Sequence, residues 1–434
     1  MRCFLLAVLS GLRLLTFDVD ATPPVGSELT YQRMAASSPF SLRARGIVLY
    51  GAGNPVVLCA VDWIGISNES QDVFKAALAE AAGTIPERVE VHTVHQHDAP
   101  ICDFSAERIL AEKGIPAGQF DGSFAREVIV RLQQAVRDTA GRVQPVTAVG
   151  TGKAKVRRVA SNRTVQLKDG SFATRYSSEP NRPQFRRMAE GLTDPELSMV
   201  SFWNGDEPLA ALTFYATHPQ SYYLTGVANP DFPGIARALM DLEYPDVLHV
   251  HFNGAGGNIA AGKYNDGSHR MRRILAERLK RGMETAWRHT RRQKIRDLNW
   301  QSLPLDLPAS AEVAGLEDSL SLFSRNVLSN SAGRLGWYRR SRKGPAVSAA
   351  CLTINDDISL LFLPGELFVE YQLAAKRMAP DRFVALAAYG DYGPFYIGTK
   401  MAYEQGGYEI RSSPVTKDAE TTILQCIATL LDHQ

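Results

Sequence analysis

The stretch HTVHQHDAPICD, His92–Asp103, places three of the chain's nine histidines within six positions. Imidazole binds metals, moves protons and hydrogen-bonds substrates, so chemistry could concentrate here. Read as a strand, VEVHTVHQH alternates its side chains between two faces. His95 and His97 then share a face, and His92 turns to the other. Two imidazoles one residue apart can meet one zinc ion or one substrate. Zinc favours nitrogen and carboxylate ligands, and a catalytic site leaves one position open. An isolated H-x-H pair more often caps a loop or bonds backbone, so the pair needs partners from elsewhere.

Four segments could supply them. His218, in FYATHPQ, ends an apolar, strand-like run and precedes a proline; alone it reads as a core histidine. Glu366, in LFLPGELFVEY, follows a buried run and a Pro-Gly turn. A carboxylate there would sit at the carboxyl rim of a sheet, where α/β proteins gather ligands. An acid at a helix N-terminus fits the same position. NGAGGNIAAGKYNDG follows the strand-like VLHVHF. Its glycines would let backbone approach a ligand, and a helix start beyond it would offer free N–H groups. It has neither the G-x-G-x-x-G spacing nor the GK[ST] ending, so both phosphate motifs are excluded, and a plain tight turn accounts for it equally. YGDYGPFYIGTKMAYEQGGYE is dense in tyrosine and could wall a pocket with phenolic donors, or form an aromatic surface loop.

The elements that must position these residues follow from periodicity and punctuation. LTFDVDATPPVG reads as a strand and a rigid turn. GIVLYGAGNPVVLCAVDWIGI reads as two strands, and Ser70 caps a helix stopped by Gly83. Phe124, Val128, Leu132 and Val136 mark an amphipathic helix, and Met271, Leu275, Leu279 and Trp287 mark a longer one. SLLFLPGELFVEYQLAAKRM is a buried strand, a turn and a helix; FVALAAYGDYG is a strand; Lys417–Leu431 closes as a helix. Glu179–Arg187 and Trp337–Pro345 read as surface loops. Strands and helices mix throughout, with no internal repeat visible, so the class is α/β (mixed α+β), one large domain.

The 434 residues are 45% hydrophobic and 22% charged, with a net charge of +2. That describes an ordinary globular core and no whole-chain field for nucleic acid. Five scattered cysteines without a C-x-x-C pair are no disulfide framework. A thiol enzyme built on Cys102, seven residues after His95, has no supporting motif. His269–Arg292 carries nine basic residues; it reads as a solvated face, with peripheral contact to an anionic membrane as the alternative. MRCFLLAVLSGLRLL resembles a short secretory signal, but Arg13 interrupts it and no small-residue cleavage site follows, which favours a lead-in to the first strand and leaves the compartment unassigned.

Taken in order, these blocks resemble the neutral (non-lysosomal) ceramidase family. HQHDAP is similar to its H-T-H-S-G-P, SNRTV to its N-R-S-P, and THPQ to its H-P-T. GAGGNIAAG lies where the family has G-A-x-G-D-V-S-P-N. PGE and YIGTKMAYEQGGYE resemble its P-G-E and Y-I-x-T…Y-x-x-Q-x-Y-E. The resemblance runs from about Leu14 to beyond Gly407. It implies a catalytic domain over 14–434, with 1–13 as an apolar lead and no C-terminal immunoglobulin-like domain. It implies zinc held by His95, His218, Glu366 and Tyr396. It places His97, Arg163 and Tyr408 at positions that hold substrate or steady the oxyanion, and Gly257, Asn258 and Ala260 beside the substrate.

One departure matters. The family's D-V-S-P serine is the presumed nucleophile, and here Ala260 stands in its place, with Asn258 for the preceding aspartate. Three readings follow: a zinc amidohydrolase using metal-activated water on an amide, an N-acyl lipid among the candidates; a non-hydrolytic lipid- or ligand-binding relative; or a zinc esterase for another small substrate. All four implied ligands are kept, which favours the first. Asp98 is a further departure, a carboxylate beside His97 that would orient the imidazole or sit in a solvated turn.

Overall fold

The computed structural model describes residues 11–51, 53–318 and 325–432, so most of the apolar lead, residues 1–10, lies outside the described residues. Period-two alternation decides the architecture. Along Val56–Val61, Val56, Leu58 and Ala60 turn to one apolar cluster and Val57, Cys59 and Val61 to another. Such strands must be covered on both faces.

That demand is met three times by the same plan. Strands Arg13–Asp20, Arg43–Tyr50 and Val56–Val61 form an antiparallel meander, the helix Glu69–Ala82 crosses over, and Val89–Thr93 returns parallel to Val56–Val61. The helix Ser123–Asp138 then packs beside the crossover helix and onto the first strand. Ala148–Lys155, Glu196–Asn204 and Glu207–Tyr215 repeat the meander, with crossover helix Asp231–Glu243, parallel strand Leu248–Asn253 and outer helix Arg270–Arg288. Leu298–Leu305, Val347–Ile354 and Ile358–Phe362 repeat it again, with helix Val369–Met378, parallel strand Phe383–Ala387 and helix Ala419–Leu431. A parallel return needs a long crossover, which the helix in each unit supplies.

The inner faces of the three sheets share one central core. Leu58 and Ile47 come from the first, Phe202, Leu212 and Phe252 from the second, and Leu352, Leu360 and Phe362 from the third. The helices cover the outer faces with separate clusters. In every unit the third and fourth strands are the parallel pair, so their carboxyl ends and the loops leaving them meet at one end of the molecule. The expected mixed α/β class is what is seen. The threefold repeat is not visible in the sequence because it is carried by backbone topology and apolar alternation, which different residues satisfy equally.

Several local expectations need correction. The strand expected through His97 stops at Thr93. Asn68, not Ser70, stands at the start of the first crossover helix, with no capping bond from its side chain, and the Ser70 hydroxyl instead accepts from the Phe104 N–H; Gly83 ends the helix in the left-handed region at φ 70°. Trp337 is fully buried in the helix Arg325–Ser341, not on a surface loop. Glu179 is buried and accepts from Arg182 and the Tyr176 N–H, and Pro183–Arg187 forms a short helix. The basic helix stops at Arg288, and Arg291 and Arg292 belong to an edge strand. Much of its charge is internally paired: Arg273 with Glu277, Lys280 with Glu243 and Glu284, and Arg288 with Glu284. Among the described residues no helix is long and apolar enough to cross a membrane.

Asp103 gives a stability test. Its carboxylate caps the helix Phe104–Glu112 through the Ala106 N–H and accepts from the Asn68 amide, but it is buried without a contacting cation. Burial pushes its pKa up to about 8. The unfolded chain ionises near pH 4 and the folded chain near 8, so the folded state holds one more proton between them and stability falls as pH rises through that window. Asp103→Asn is expected to flatten this fall in melting temperature, though its amide opposes the Asn68 donor. An unchanged pH profile would refute the assignment.

Candidate metal and active site

The site lies where the three units meet. His95 and His97 follow the fourth strand of the first unit, His218 follows the third strand of the second, and Glu366 the third strand of the third. Strand parity is therefore not what gathers the histidines. His95 sits in a loop at φ 69°, a left-handed conformation that costs free energy in a non-glycine residue and is held by its surroundings. Its N–H donates to the Trp63 carbonyl, and its Nδ1 lies 2.6 Å from the Ile64 oxygen. That carbonyl accepts from Nδ1–H and so turns Nε2 toward Glu366. Tyr389, two residues past its strand as His95 is past Thr93, is also left-handed, at φ 61°, and stacks on the His95 ring. His92 points away, with Nδ1 2.7 Å from the Ala388 oxygen and its ring against Phe252 and Phe362.

The polar atoms then converge. His95, His97 and His218 are buried, with ligand nitrogens all within 4.8 Å of one another. His97 Nε2 lies 2.8 Å from His218 Nε2, and Gln220 donates to His97 Nδ1. Glu366 Oε2 lies 3.3 Å from His95 Nε2 and 3.6 Å from His218 Nδ1, while its Oε1 accepts from Tyr392 at 2.6 Å. His95 Nε2, His218 Nδ1, Glu366 Oε2 and the Tyr389 hydroxyl are all buried without a hydrogen-bond partner. Buried polar groups are rarely left so. A ring nitrogen and a carboxylate oxygen held 3.3 Å apart in a buried site call for a cation or a proton between them. The donor set, imidazole with one carboxylate, suits zinc.

Arg163 stands beside this cluster, fully buried. It donates to the Tyr396 hydroxyl at 3.3 Å and to the Gly257 carbonyl at 3.5 Å, and pairs with Glu409 at 2.9 Å. Its guanidinium lies over the half-exposed Tyr408 ring, 5.4 Å from the centroid. Burial, then the negative charge of Glu366, hold the Tyr396 phenol well above its ordinary range. Tyr396 pairs with Glu366 in a short parallel bridge, so the two share one backbone frame.

The glycine-rich turn threads between the second and third units. A Cβ on Gly256 would lie 2.3 Å from the Thr217 carbonyl oxygen, and one on Gly257 2.5 Å from that of Glu366. These positions exclude side chains because backbone passes there. Asn258 spends both ends of its amide on the helix Val369–Met378, accepting from the Val369 N–H and donating to Glu370, which turns the expected substrate contact into a fastening. Ala260 lies buried in a two-residue strand opposite Ser161 and bridged to His218, so it does border the site. Asp98 turns away from His97. It accepts from the Leu224 N–H, the Thr225 hydroxyl and Arg272, and so ties down the loop of Tyr222–Thr225. Cys102 is buried, its thiol pushed up to about 12 by desolvation, which leaves no thiolate to attack. Tyr389, Tyr392 and Gln220 were not individually singled out from the sequence; the first two lie in the tyrosine-dense segment that begins at Tyr389, and Gln220 closes the THPQ block.

No protein-family model and no curated protein sequence matches the chain. Solved structures share its fold, two ceramidases among them. A neutral ceramidase from Pseudomonas aeruginosa superposes with a TM-score of 0.69 at 17% identity, covering 97% of this chain and 74% of the other. A ceramidase complexed with C2 gives 0.66 at 16% identity, covering 97% and 75%.

Proposed function

We propose that this protein is a zinc-dependent amidohydrolase whose substrate is an N-acyl amide of lipid type. The carrying observation is the buried convergence of His95, His97 and His218, ligand nitrogens within 4.8 Å of one another, with Glu366 Oε2 3.3 Å from His95 Nε2 and 3.6 Å from His218 Nδ1. The ceramidase-like fold supports the reaction class. His95, His218 and Glu366 would hold the metal, with Tyr396 or His97 completing the set. Zinc bound there would polarise a carbonyl and lower the pKa of a water to about 7. The reaction adds water across the C–N bond, giving a carboxylate and an amine. Ala260 cannot act as nucleophile, so water attacks directly.

The chain's own groups supply the rest. Arg163 and Tyr408 are donors for the oxygen that gains charge, and desolvation keeps the Tyr408 phenol protonated. Glu409 and Tyr396 hold Arg163 in place. Metal analysis of the purified protein tests the reading, followed by a panel of N-acyl amides, ceramide included, and matched esters. About one zinc per chain with amide cleavage supports it. Protein that takes up no metal overturns it. Zinc without amide cleavage favours the binding relative, and cleavage of esters alone favours the esterase.

A further inference from the structure

A short hairpin before the first meander closes is aimed at this site. Glu28 and Arg33 bridge across it and pair at 2.8 Å, Leu29 anchors it in the core, and the Thr30 N–H and hydroxyl both donate to the Ala99 carbonyl, two residues past His97. The tip is thereby fixed to the histidine loop, and Tyr31 is set on it. Its ring stacks on His97 with centroids 5.6 Å apart and planes 15° from parallel. Tyr223 meets both rings, at 5.1 Å from Tyr31 and 5.5 Å from His97. The Tyr223 loop is the one that Asp98 and Arg272 tie down.

This is an aromatic wall built at some cost over the histidine cluster. Tyr31 is 48% exposed, more than core packing would leave it. The ring is thus partly open to a ligand while it stacks on His97.

We propose that Tyr31 is a substrate-contacting catalytic residue, its ring a wall for the acyl group and its hydroxyl a donor to the attacked carbonyl oxygen. This rests on the zinc amidohydrolase reading. One oxyanion donor is worth about 100- to 1000-fold in kcat where it is fully engaged. In the zinc-loaded full chain, Tyr31→Phe is expected to keep the wild-type zinc content and lower kcat for the best amide of the panel at least about tenfold, with KM little changed. Octanohydroxamate, which offers a carbonyl and an apolar chain, is expected to bind Tyr31→Phe several-fold more weakly by calorimetry, and Tyr31→Ala more weakly still. Wild-type protein that holds no zinc overturns the reading of the site and this role with it. Zinc in both proteins with equal hydroxamate affinity and equal kcat overturns the role of Tyr31 alone. So does a zinc-loaded wild type that takes up no hydroxamate.

Discussion

Glu366→Gln is expected to remove the metal and the activity together while leaving the metal-free protein at least as stable. Glu366 Oε1 is fixed by Tyr392, and Oε2 faces His95 Nε2 and His218 Nδ1 with no donor of its own. Glutamine keeps the shape and loses the charge. In the metal-free protein its amide nitrogen can donate to the His95 lone pair, relieving a repulsion that glutamate leaves in place. Toward a dication the change is adverse twice: one ligand charge is gone, and an N–H can face the ion. Losing a partner that only orients a ligand costs 10- to 100-fold in affinity, so losing a ligand should exceed about 100-fold. The measurement is zinc content after dialysis, with thermal melts on either side of zinc addition. Zinc at 100 times its dissociation constant stabilises a binding protein by about 2.7 kcal/mol, so wild type should melt higher with zinc and Glu366→Gln should not shift. His218→Ala should behave the same toward zinc but melt lower without it, since it opens a buried hole. A Glu366→Gln protein that retains stoichiometric zinc would sink the assignment of the carboxylate.

Strands and helices came through where apolar alternation or i+4 spacing was strong, as in Val56–Val61 and Ser123–Asp138. Glu366 was legible as a rim residue because it follows a buried run and a turn; His218 was legible as the end of an apolar run, though alone it reads as a core histidine, and His95 was placed inside the strand rather than after it. The ground for pairing His95 with His97 was wrong, however. Their closeness comes from a left-handed turn at His95, which no side-chain pattern announces. Asp98 and Asn258 were also out of reach. Both are polar residues next to site residues, but their hydrogen bonds go to Arg272 and to Val369 and Glu370, far away in sequence. Tyr31 is further still, brought in by a hairpin pinned to the Ala99 carbonyl.

The second large effect is expected far from the chemistry, at Arg237→Met. Arg237, on the crossover helix of the second unit, makes a two-pronged pair with Asp62 of the first, at 2.7 and 2.6 Å, and both side chains are almost wholly buried. Asp62 also accepts from the Arg43 N–H. Removing the arginine leaves a buried carboxylate with a single backbone donor, which costs about 3–5 kcal/mol. Replacing both partners, in Arg237→Met with Asp62→Leu, removes the stranded charge and should recover much of that loss, because the pair itself returns little beyond its own desolvation. Chemical denaturation of the two variants separates these cases; a single variant within about 1 kcal/mol of wild type would mean that water or relaxation reaches Asp62. The pair also bears on the site. Asp62 lies two residues before Ile64, whose carbonyl orients His95. Were the pair only a lock between units, the folded double variant would bind zinc as wild type does. Because the strand end carrying Ile64 is held by Asp62, zinc affinity in the double variant is expected to fall by roughly 10-fold, the lower bound for losing a group that orients a ligand.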